Sequence, residues 1–437
     1  MLANKKAESV RDVIRYLQKF KNALVVIYLD DKTIASPLYS SHIRDIALLH
    51  EAGLQVVIIP GARTRIDEVL TSANIKWNYQ KNIRVTDTDA MPLIKMAAFD
   101  VSNTIMTSLA ANSITAVIGN WVRSRAKGVI EGFDYGTAGE IDKLEAESIK
   151  TVLNHGFIPI FPCIGWNSIG HPYNISSMLL AHQVAINLKA DKLFYVSQEG
   201  VIDNHRFNIP QEFALSEKGN VPAMNLDEVD SFIKENPNLD DLTRGLLQSA
   251  REACSNGVTR VHLLDGKEDG SLLCEIFSDL GSGTMIYTSN YGKIRPMLQT
   301  DIPAVLGIMR PFVKAGKLLA RTEEDLSSSF QDYLVYELDG GVHGCAALHL
   351  YDDKQAEIAA VAVDENFEHM GIGPKLIESL IAKAKKLDSK SIFIMTTQAS
   401  DWFEKLGFEE DKIDSLPEKR RAIWTASRNS KVYRLKK

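Results

Sequence analysis

Two closely spaced glycines, Gly371 and Gly373, lie where a short apolar segment gives way to a helical pattern. The segment from Ile358 to Val363 is continuously apolar and bounded by charge, which predicts a buried strand. Pro374 then opens a periodic segment, and proline is favoured in a first helical turn. A glycine loop before a helix directs backbone N–H groups and the positive end of the helix dipole at one point. This loop therefore predicts a site for an anion such as a pyrophosphate, with a tight turn as the alternative.

The loop resembles the acetyl-CoA loop of the GNAT acetyltransferases, Q/R-x-x-G-x-G/A, over six positions: Glu368, His369, Met370, Gly371, Ile372 and Gly373. Both glycines match, whereas Glu368 stands where that family usually has Gln or Arg. The resemblance implies that the backbone of residues 369–373 holds the pyrophosphate of acetyl-CoA. It also implies that strand amides near Val361 and Val363 polarise the thioester carbonyl.

Composition narrows the possible classes of protein. A chain of 437 residues predicts two or three domains, and 45% apolar with 24% charged residues are globular values. The net charge of −6 argues against a nucleic-acid partner, and no apolar run approaches the roughly 18 residues of a membrane span. The N-terminus has no signal-peptide core, and the four scattered cysteines favour reduced core residues. We therefore expect a cytoplasmic protein without a metal site.

Strands and helices alternate along the first two thirds of the chain. Residues 1–20 include an amphipathic helix over 8–20, whose apolar stripe needs a partner. Strands are predicted at 24–29, 54–59, 116–118, 157–161 and 193–196, with helices at 42–52, 91–111, 143–154 and 176–189. This alternation predicts an α/β domain over 21–286, a three-layer αβα sandwich with a parallel sheet covered on both faces.

Three segments of this domain resemble the amino-acid-kinase fold, in its acetylglutamate-kinase branch: PGARTRID (60–67), KNIRVTD (81–87) and EIFSDLGSGTMI (275–286). The phosphoryl-transfer residues of that family are missing. Its K-x-GG, which binds ATP phosphates, is replaced by residues 28–31, which end in Asp30-Asp31, and its organising aspartate is replaced by Met178. Two carboxylates repel a phosphate, unless the pair is only a solvated turn. We expect a regulatory domain without kinase chemistry.

Residues of the same domain match the arginine-binding signature of arginine-sensitive acetylglutamate kinases: Tyr16, His262, Glu275, Gly281 and Gly283. A guanidinium takes a carboxylate through two parallel hydrogen bonds, which suits Glu275. The glycines would let backbone amides approach an α-carboxylate. The alternatives are a surface charge for Glu275 and an ordinary strand histidine for His262.

The last third resembles a GNAT domain throughout. A polar linker over 287–293 precedes a domain over 294–437, which is predicted to be α+β with a central antiparallel meander at 334–338, 344–350 and 358–363. A further strand is predicted at 391–396. The segment 401–408, DWFEKLGF, is typical of GNAT proteins.

An arginine-sensing kinase-like domain ahead of a GNAT domain resembles the family of bacterial N-acetylglutamate synthases over essentially the whole chain. That resemblance implies transfer of acetyl from acetyl-CoA to L-glutamate, the first step of arginine biosynthesis, with L-arginine as inhibitor and a homo-hexamer as assembly. By the same resemblance Glu357 is the general base and Thr396, where relatives carry Ser, the general acid. The substrate-binding residues would be Arg321, Arg428 and Ser430.

Other interpretations stay open from the sequence alone. Glu357 could be a solvent-facing charge at a strand edge, Arg321 a helix cap, and Arg428 one cation of a basic segment. At the level of the whole protein, an arginine-binding regulatory protein with an inactive acetyltransferase domain and a true acetylglutamate kinase are the alternatives.

Overall fold

The computed structural model describes residues 20–211, 213, 215–216, 218–277, 282–288, 292–338, 341–365, 367, 371–425 and 430–435. The chain divides into two compact units, with the boundary between residues 289 and 290. We call them the front unit and the rear unit. The predicted helix over 8–20 lies outside the described residues except for Phe20.

The front unit is built from sixteen described strands and nine described helices. Its strands are β1 (Leu24–Leu29), β2 (Gln55–Pro60), β3 (Asn78–Gln80), β4 (Ile83–Val85), β5 (Ala116–Ile118), β6 (Val122–Ala126), β7 (Val129–Ile130), β8 (Phe133–Asp134), β9 (Gly139–Leu144), β10 (Ile158–Ile160), β11 (Ile164–Trp166), β12 (Pro172–Asn174), β13 (Lys192–Ser197), β14 (Ala223–Asn225), β15 (Arg260–Asp265) and β16 (Thr284–Tyr287). Its helices are α1 (Asp31–Ile34), α2 (Tyr39–Glu51), α3 (Arg63–Ser72), α4 (Met91–Ala110), α5 (Ala146–Asn154), α6 (Ser177–Leu188), α7 (Leu226–Glu235), α8 (Asp241–Ser255) and α9 (Ser271–Phe277).

Eight of these strands form one sheet in the order β14-β16-β15-β13-β1-β2-β10-β5. Neighbouring strands are parallel except for the β15–β16 pair, which is antiparallel. Side chains alternate across β1, so that Leu24 and Val26 enter a core with α6 and α8, while Val25 and Ile27 enter a second core with α2 and α9. Two cores on opposite faces confirm the predicted three-layer αβα architecture.

The position of β1 in this sheet creates a natural ligand cleft. From β1 the chain proceeds to β2 on one side, and only later to β13 on the other. Such a switch point leaves a crevice at the carboxyl ends of the two strands, where α/β proteins bind ligands. Asp30 and Asp31 follow β1 directly at this crevice.

The rear unit holds one seven-stranded sheet in the order β17-β18-β19-β20-β21-β23-β22. The strands are β17 (Lys293–Pro296), β18 (Tyr333–Leu338), β19 (Gly341–Leu350), β20 (Gln355–Val363), β21 (Ser391–Thr396), β22 (Phe408–Asp411) and β23 (Lys431–Leu435). The helices are α10 (Ile302–Lys314), α11 (Glu323–Ser329), α12 (Ile372–Lys386), α13 (Ser400–Lys405) and α14 (Glu418–Ala422). The antiparallel meander β18-β19-β20 matches the prediction. Among the described residues of the chain, no helix is long and apolar enough to cross a membrane.

Candidate functional site

Glu357 lies inside the rear unit, on β20, with only 4% of its surface exposed. Its carboxylate accepts a hydrogen bond from the Tyr351 hydroxyl at 2.7 Å. The Arg420 Nε approaches both carboxylate oxygens, at 3.0 and 2.8 Å. A buried carboxylate held by two donors is not a solvent-facing strand charge, so that alternative is wrong.

Sequence reasoning missed both partners of Glu357. Arg420 lies on α14, 63 residues further along the chain, and Tyr351 follows β19. Burial, and next the charge of Glu357, raise the pKa of the Tyr351 phenol, which therefore stays protonated as a donor. The segment 416–421, LPEKRR, offered a signal, but nothing in the sequence tells which of its three cations turns inward.

The strand that carries Glu357 separates from its neighbour a few residues later. Parallel pairing of β20 with β21 runs only from Gln355–Ser391 to Ile358–Ile394. On the other side, the β19–β20 register shifts at a bulge, and Ala360 has a left-handed φ of 53°. Val361 and Val363 therefore lie beyond the part of β20 that pairs with β21, while Val363 still pairs with Gly344 on β19. This is the splayed strand geometry that polarisation of a thioester carbonyl by backbone amides requires.

The glycine loop is positioned to serve that opening. Gly371 is the N-cap of α12 with φ of 61°, a conformation that favours glycine. A Cβ on Gly373 would lie 3.0 Å from the Trp402 ring, so the helix start packs closely against α13. Ile372 is fully buried and fixes the first turn. His369 and Met370 lie outside the described residues.

Thr396 ends β21 at the same opening. Its Oγ1 accepts hydrogen bonds from the amides of Ala399 (3.0 Å) and Gln398 (3.3 Å), which leaves its own proton available to donate. Thr396 also pairs with Lys431 on β23. Ser430, which is 8% exposed, precedes that residue, so the predicted acid and the predicted hydroxyl contact lie at one end of neighbouring strands.

Arg321 lies just before α11, but it does not cap this helix. Thr322 is the cap, since its hydroxyl accepts from the Asp325 amide and the Asp325 carboxylate accepts from the Thr322 amide. The Nε of Arg321 and the buried hydroxyl of Tyr333 have no hydrogen-bond partner among the described residues. Burial raises the pKa of Tyr333 to about 12, against the opposing charge of Arg321. Arg428 lies outside the described residues.

In the front unit, His262 and Glu275 form a buried pair. His262 Nδ1 lies 2.6 Å from Glu275 Oε1, and the two residues are 1% and 8% exposed. Burial lowers the pKa of His262 to about 4, so a neutral imidazole donates to the carboxylate. Although burial opposes it, the bonds from His262 and from backbone amides hold the pKa of Glu275 below its usual value. The interpretation of Glu275 as a surface charge is therefore wrong.

The Glu275 carboxylate also organises the glycine segment of the signature. Its Oε2 accepts from the amides of Ser282 (2.7 Å) and Gly283 (3.1 Å). A Cβ at Gly283 would lie 2.2 Å from the Leu263 carbonyl oxygen, so only glycine fits here. Oε1 keeps one acceptor position for a guanidinium. Tyr16 and Gly281 lie outside the described residues.

The carboxylates after β1 occupy the donors that a phosphate would need. Asp30 Oδ1 accepts from the Thr33 amide (2.6 Å) and Oδ2 from the Gln198 amide (3.3 Å). Asp31 Oδ2 accepts from the Thr64 amide at 2.9 Å. Both aspartates are half-buried caps rather than a solvated turn.

Comparison with known proteins identifies the family. Residues 25–265 match the amino acid kinase family, and residues 308–408 match the acetyltransferase (GNAT) family. The amino-acid acetyltransferase of Pasteurella multocida (strain Pm70) is 34% identical over 428 residues, which are 95% of this chain and 94% of that protein. The chain belongs to the amino-acid acetyltransferase family. A second member, from Vibrio vulnificus (strain CMCP6), is 32% identical over 431 residues and 96% of both chains.

Two solved structures agree with this membership of the amino-acid acetyltransferase family. N-acetylglutamate synthase from Neisseria gonorrhoeae, complexed with coenzyme A and L-arginine, gives a TM-score of 0.78 at 28% identity, covering 98% of this chain and 99% of that one. The same enzyme complexed with coenzyme A and N-acetyl-glutamate gives 0.62 at 29% identity, covering 98% of each chain. The predicted family, the two-domain fold class and acyl transfer as the enzyme class are confirmed. The roles of individual residues stay predictions.

Proposed function

We propose that this amino-acid acetyltransferase is an N-acetyl-L-glutamate synthase, which converts acetyl-CoA and L-glutamate to coenzyme A and N-acetyl-L-glutamate. The observation that carries the proposal is the buried Glu357 carboxylate on β20, just before this strand separates from β21. The solved relative with coenzyme A and N-acetyl-glutamate supports the choice of substrates.

The reaction requires removal of a proton from the substrate ammonium, because only the free amine attacks a thioester. Glu357 takes this proton, directly or through a water molecule. Tyr351 and Arg420 fix the orientation of the carboxylate. Arg321 and Arg428 bind the two carboxylates of glutamate as forked donors, with Ser430 as a hydroxyl contact.

The amine then attacks the carbonyl carbon, and the oxyanion is stabilised by amides of the splayed strand near Val361 and Val363. Collapse of the intermediate breaks the C–S bond. Thr396 donates its proton to the departing thiolate and takes up the second proton that the attacking nitrogen loses, with its Oγ1 held in place by the Ala399 amide. The pyrophosphate of coenzyme A lies against residues 369–373, at the N-terminus of α12.

We further propose that the front unit is a non-catalytic domain that binds L-arginine at the His262–Glu275 pair and thereby inhibits acetyl transfer in the first step of arginine biosynthesis. The solved relative with coenzyme A and L-arginine supports this assignment. Inhibition from a separate domain requires that arginine bind two states of the protein differently, with a coupling of roughly 1–3 kcal/mol. Asp30 and Asp31 support the loss of phosphoryl transfer, because they already accept the local backbone donors.

The protein would act in the cytoplasm as a homo-hexamer. Three of the four cysteines are buried, which fits a reducing compartment. The assembly rests on family resemblance, and analytical ultracentrifugation tests it.

Thiol release from acetyl-CoA tests the function. With L-glutamate the rate should exceed that with L-aspartate or L-glutamine by at least about tenfold, because a shorter or uncharged side chain leaves one arginine unpaired. Millimolar L-arginine should lower the rate. Equal rates with the three amino acids would contradict the substrate assignment, and an arginine-independent rate would contradict the regulatory one.

A further inference from the structure

The front unit contains a cavity of about 650 Å³ at the switch point between β1 and β13. This volume lies in the range of sites for small organic molecules. Its wall includes Asp30, Asp31 and Arg63, which follow β1 and β2, and apolar side chains such as Met178 and Leu246 from α6 and α8. His262, Glu275 and Gly283 are not among the residues that line it. The cavity is therefore separate from the arginine site proposed above.

Carboxylates outnumber cations in this wall, with six (Asp30, Asp31, Asp67, Glu140, Glu199 and Glu252) against four (Lys32, Arg63, Arg84 and Lys127). Three cations of the wall are each paired with a wall carboxylate: Lys32 with Glu199 (2.9 Å), Lys127 with Glu140 (3.2 Å), and Arg84 with Asp67. Asp30 and Asp31 belong to none of these pairs. They accept their hydrogen bonds from neutral donors, namely backbone amides and the Thr64 hydroxyl. Burial raises the pKa of Asp30, so a cation entering the cavity would stabilise its charged form.

A second, independent group points to a ligand. His182, on α6, lines the cavity and is only 2% exposed. Neither of its ring nitrogens has a hydrogen-bond partner among the described residues. The Glu252 carboxylate is 3.7 Å from Nε2, beyond hydrogen-bonding distance. An imidazole buried without a partner loses hydrogen bonds that a ligand would restore.

The chemistry of the wall excludes the ligand that this fold would suggest. The backbone amides of Thr33, Gln198 and Thr64 are already bound by aspartate side chains, so a nucleotide phosphate meets carboxylates instead of donors. The described part of the chain contains no group of three or more His, Cys, Asp or Glu side chains that could hold a metal ion.

We propose that this cavity binds a non-phosphorylated organic cation, whose ammonium or guanidinium group lies against Asp30 and Asp31 and whose hydrogen-bonding group meets His182. The apolar side chains between them would contact the body of such a ligand. The site is additional to those for acetyl-CoA, glutamate and arginine, and it does not depend on their assignment.

Three related probes test the site by calorimetric titration of the full chain. Tyramine has an ammonium, an aromatic ring and a hydroxyl, whereas phenethylamine lacks the hydroxyl and tyrosol replaces the ammonium by a neutral alcohol. We expect tyramine to bind more tightly than phenethylamine, and tyrosol to bind at least about tenfold more weakly than tyramine, because a charged hydrogen bond is lost. ATP and Mg²⁺ should not bind in this cavity.

Two substitutions assign the binding to this wall. Asp31→Asn keeps an oxygen that can cap the Thr64 amide but removes the charge, so it should weaken both amines by about tenfold or more. Asp227→Asn, at an exposed aspartate of α7 outside the cavity, should leave both affinities unchanged. His182→Leu should lower the affinity for tyramine to that for phenethylamine. Circular dichroism would confirm that each variant is folded.

Several outcomes would overturn the proposal. The proposal fails if neither amine binds at concentrations up to about 10 mM, since weaker contacts are non-specific. Equal affinity for tyramine and tyrosol, or equal loss with Asp31→Asn and Asp227→Asn, would show that charge at this wall does not select the ligand. If Mg²⁺ or ATP bound and this binding depended on Asp31, the ligand of the cavity would belong to another class than the organic cations.

Discussion

Replacing Glu357 by glutamine should abolish most activity while leaving the rear unit folded. Glutamine has the same shape, and its carbonyl oxygen placed at the Oε2 position keeps the bonds from Tyr351 (2.7 Å) and Arg420 (2.8 Å). What disappears is the negative charge opposite Arg420, one hydrogen bond at 3.0 Å and the ability to accept a proton. We expect a stability loss of about 1–3 kcal/mol but a fall in kcat of about 10²–10⁴, which is typical of a lost general base.

Arg420→Gln is the matched variant. It should lose more stability than Glu357→Gln and less of its kcat. The Glu357 and Arg420 side chains are 5% and 16% exposed, so solvent hardly screens this pair. Removing the guanidinium leaves a buried carboxylate without its cation, which costs roughly 3–5 kcal/mol. The double variant Glu357→Gln/Arg420→Gln should be more stable than Arg420→Gln alone, because no unpaired charge remains.

Urea unfolding followed by intrinsic fluorescence and steady-state thiol release, both on the full chain, measure these two effects. Glu357→Gln with kcat within threefold of the unmodified enzyme would refute its role as base. A double variant less stable than Arg420→Gln would refute the argument that an unpaired buried charge is what destabilises that variant.

Three further predictions concern the turn at Thr396, the glycine loop and the buried histidine pair. Thr396→Ser should keep activity within a few-fold. Thr396→Val should lose the bonds from the Ala399 and Gln398 amides, about 1 kcal/mol of stability, and at least tenfold in kcat. Steady-state kinetics and thermal unfolding measure both effects. Gly373→Ala should push against Trp402, 3.0 Å from the new Cβ, and weaken coenzyme A binding in calorimetry with little effect on the glutamate KM. Because burial lowers the pKa of His262 to about 4, the unfolded chain binds more protons than the folded one between pH 6.5 and 4. Stability of the front unit should therefore fall as the pH drops through this window, and His262→Gln, whose amide can still donate to Glu275, should flatten that dependence in urea titrations at pH 7 and pH 5.

Local patterns and motif spacing located the backbone of the site better than its side-chain partners. The apolar run before Glu357 and the glycines at 371 and 373 are readable because strand and helix N-terminus signals are local in sequence. Arg420 was not identified, since its contact with Glu357 spans 63 residues and follows from the tertiary packing of α14. The buried state of Glu275 was likewise left open by its pattern.

The lining of the front cavity could likewise be predicted only in part from the sequence. The aspartates at 30 and 31 were identified as incompatible with a phosphate, which charge alone dictates. That their oxygens would bind the amides of Thr33 and Thr64 depends on loops brought together by the parallel sheet. His182, which has no hydrogen-bond partner among the residues that the structure describes, has no sequence signal, because a helix histidine on an apolar face is usually an ordinary core residue.

Single-turnover transfer from acetyl-CoA labelled with ¹³C in the acetyl group tests the central claim most directly. When the labelled acetyl-CoA is mixed with L-glutamate and excess enzyme, the label should appear on the glutamate nitrogen as N-acetyl-L-glutamate. The Glu357→Gln variant should form this product about 10²–10⁴-fold more slowly. Label found as free acetate, or transferred at an unchanged rate by Glu357→Gln, would contradict the account.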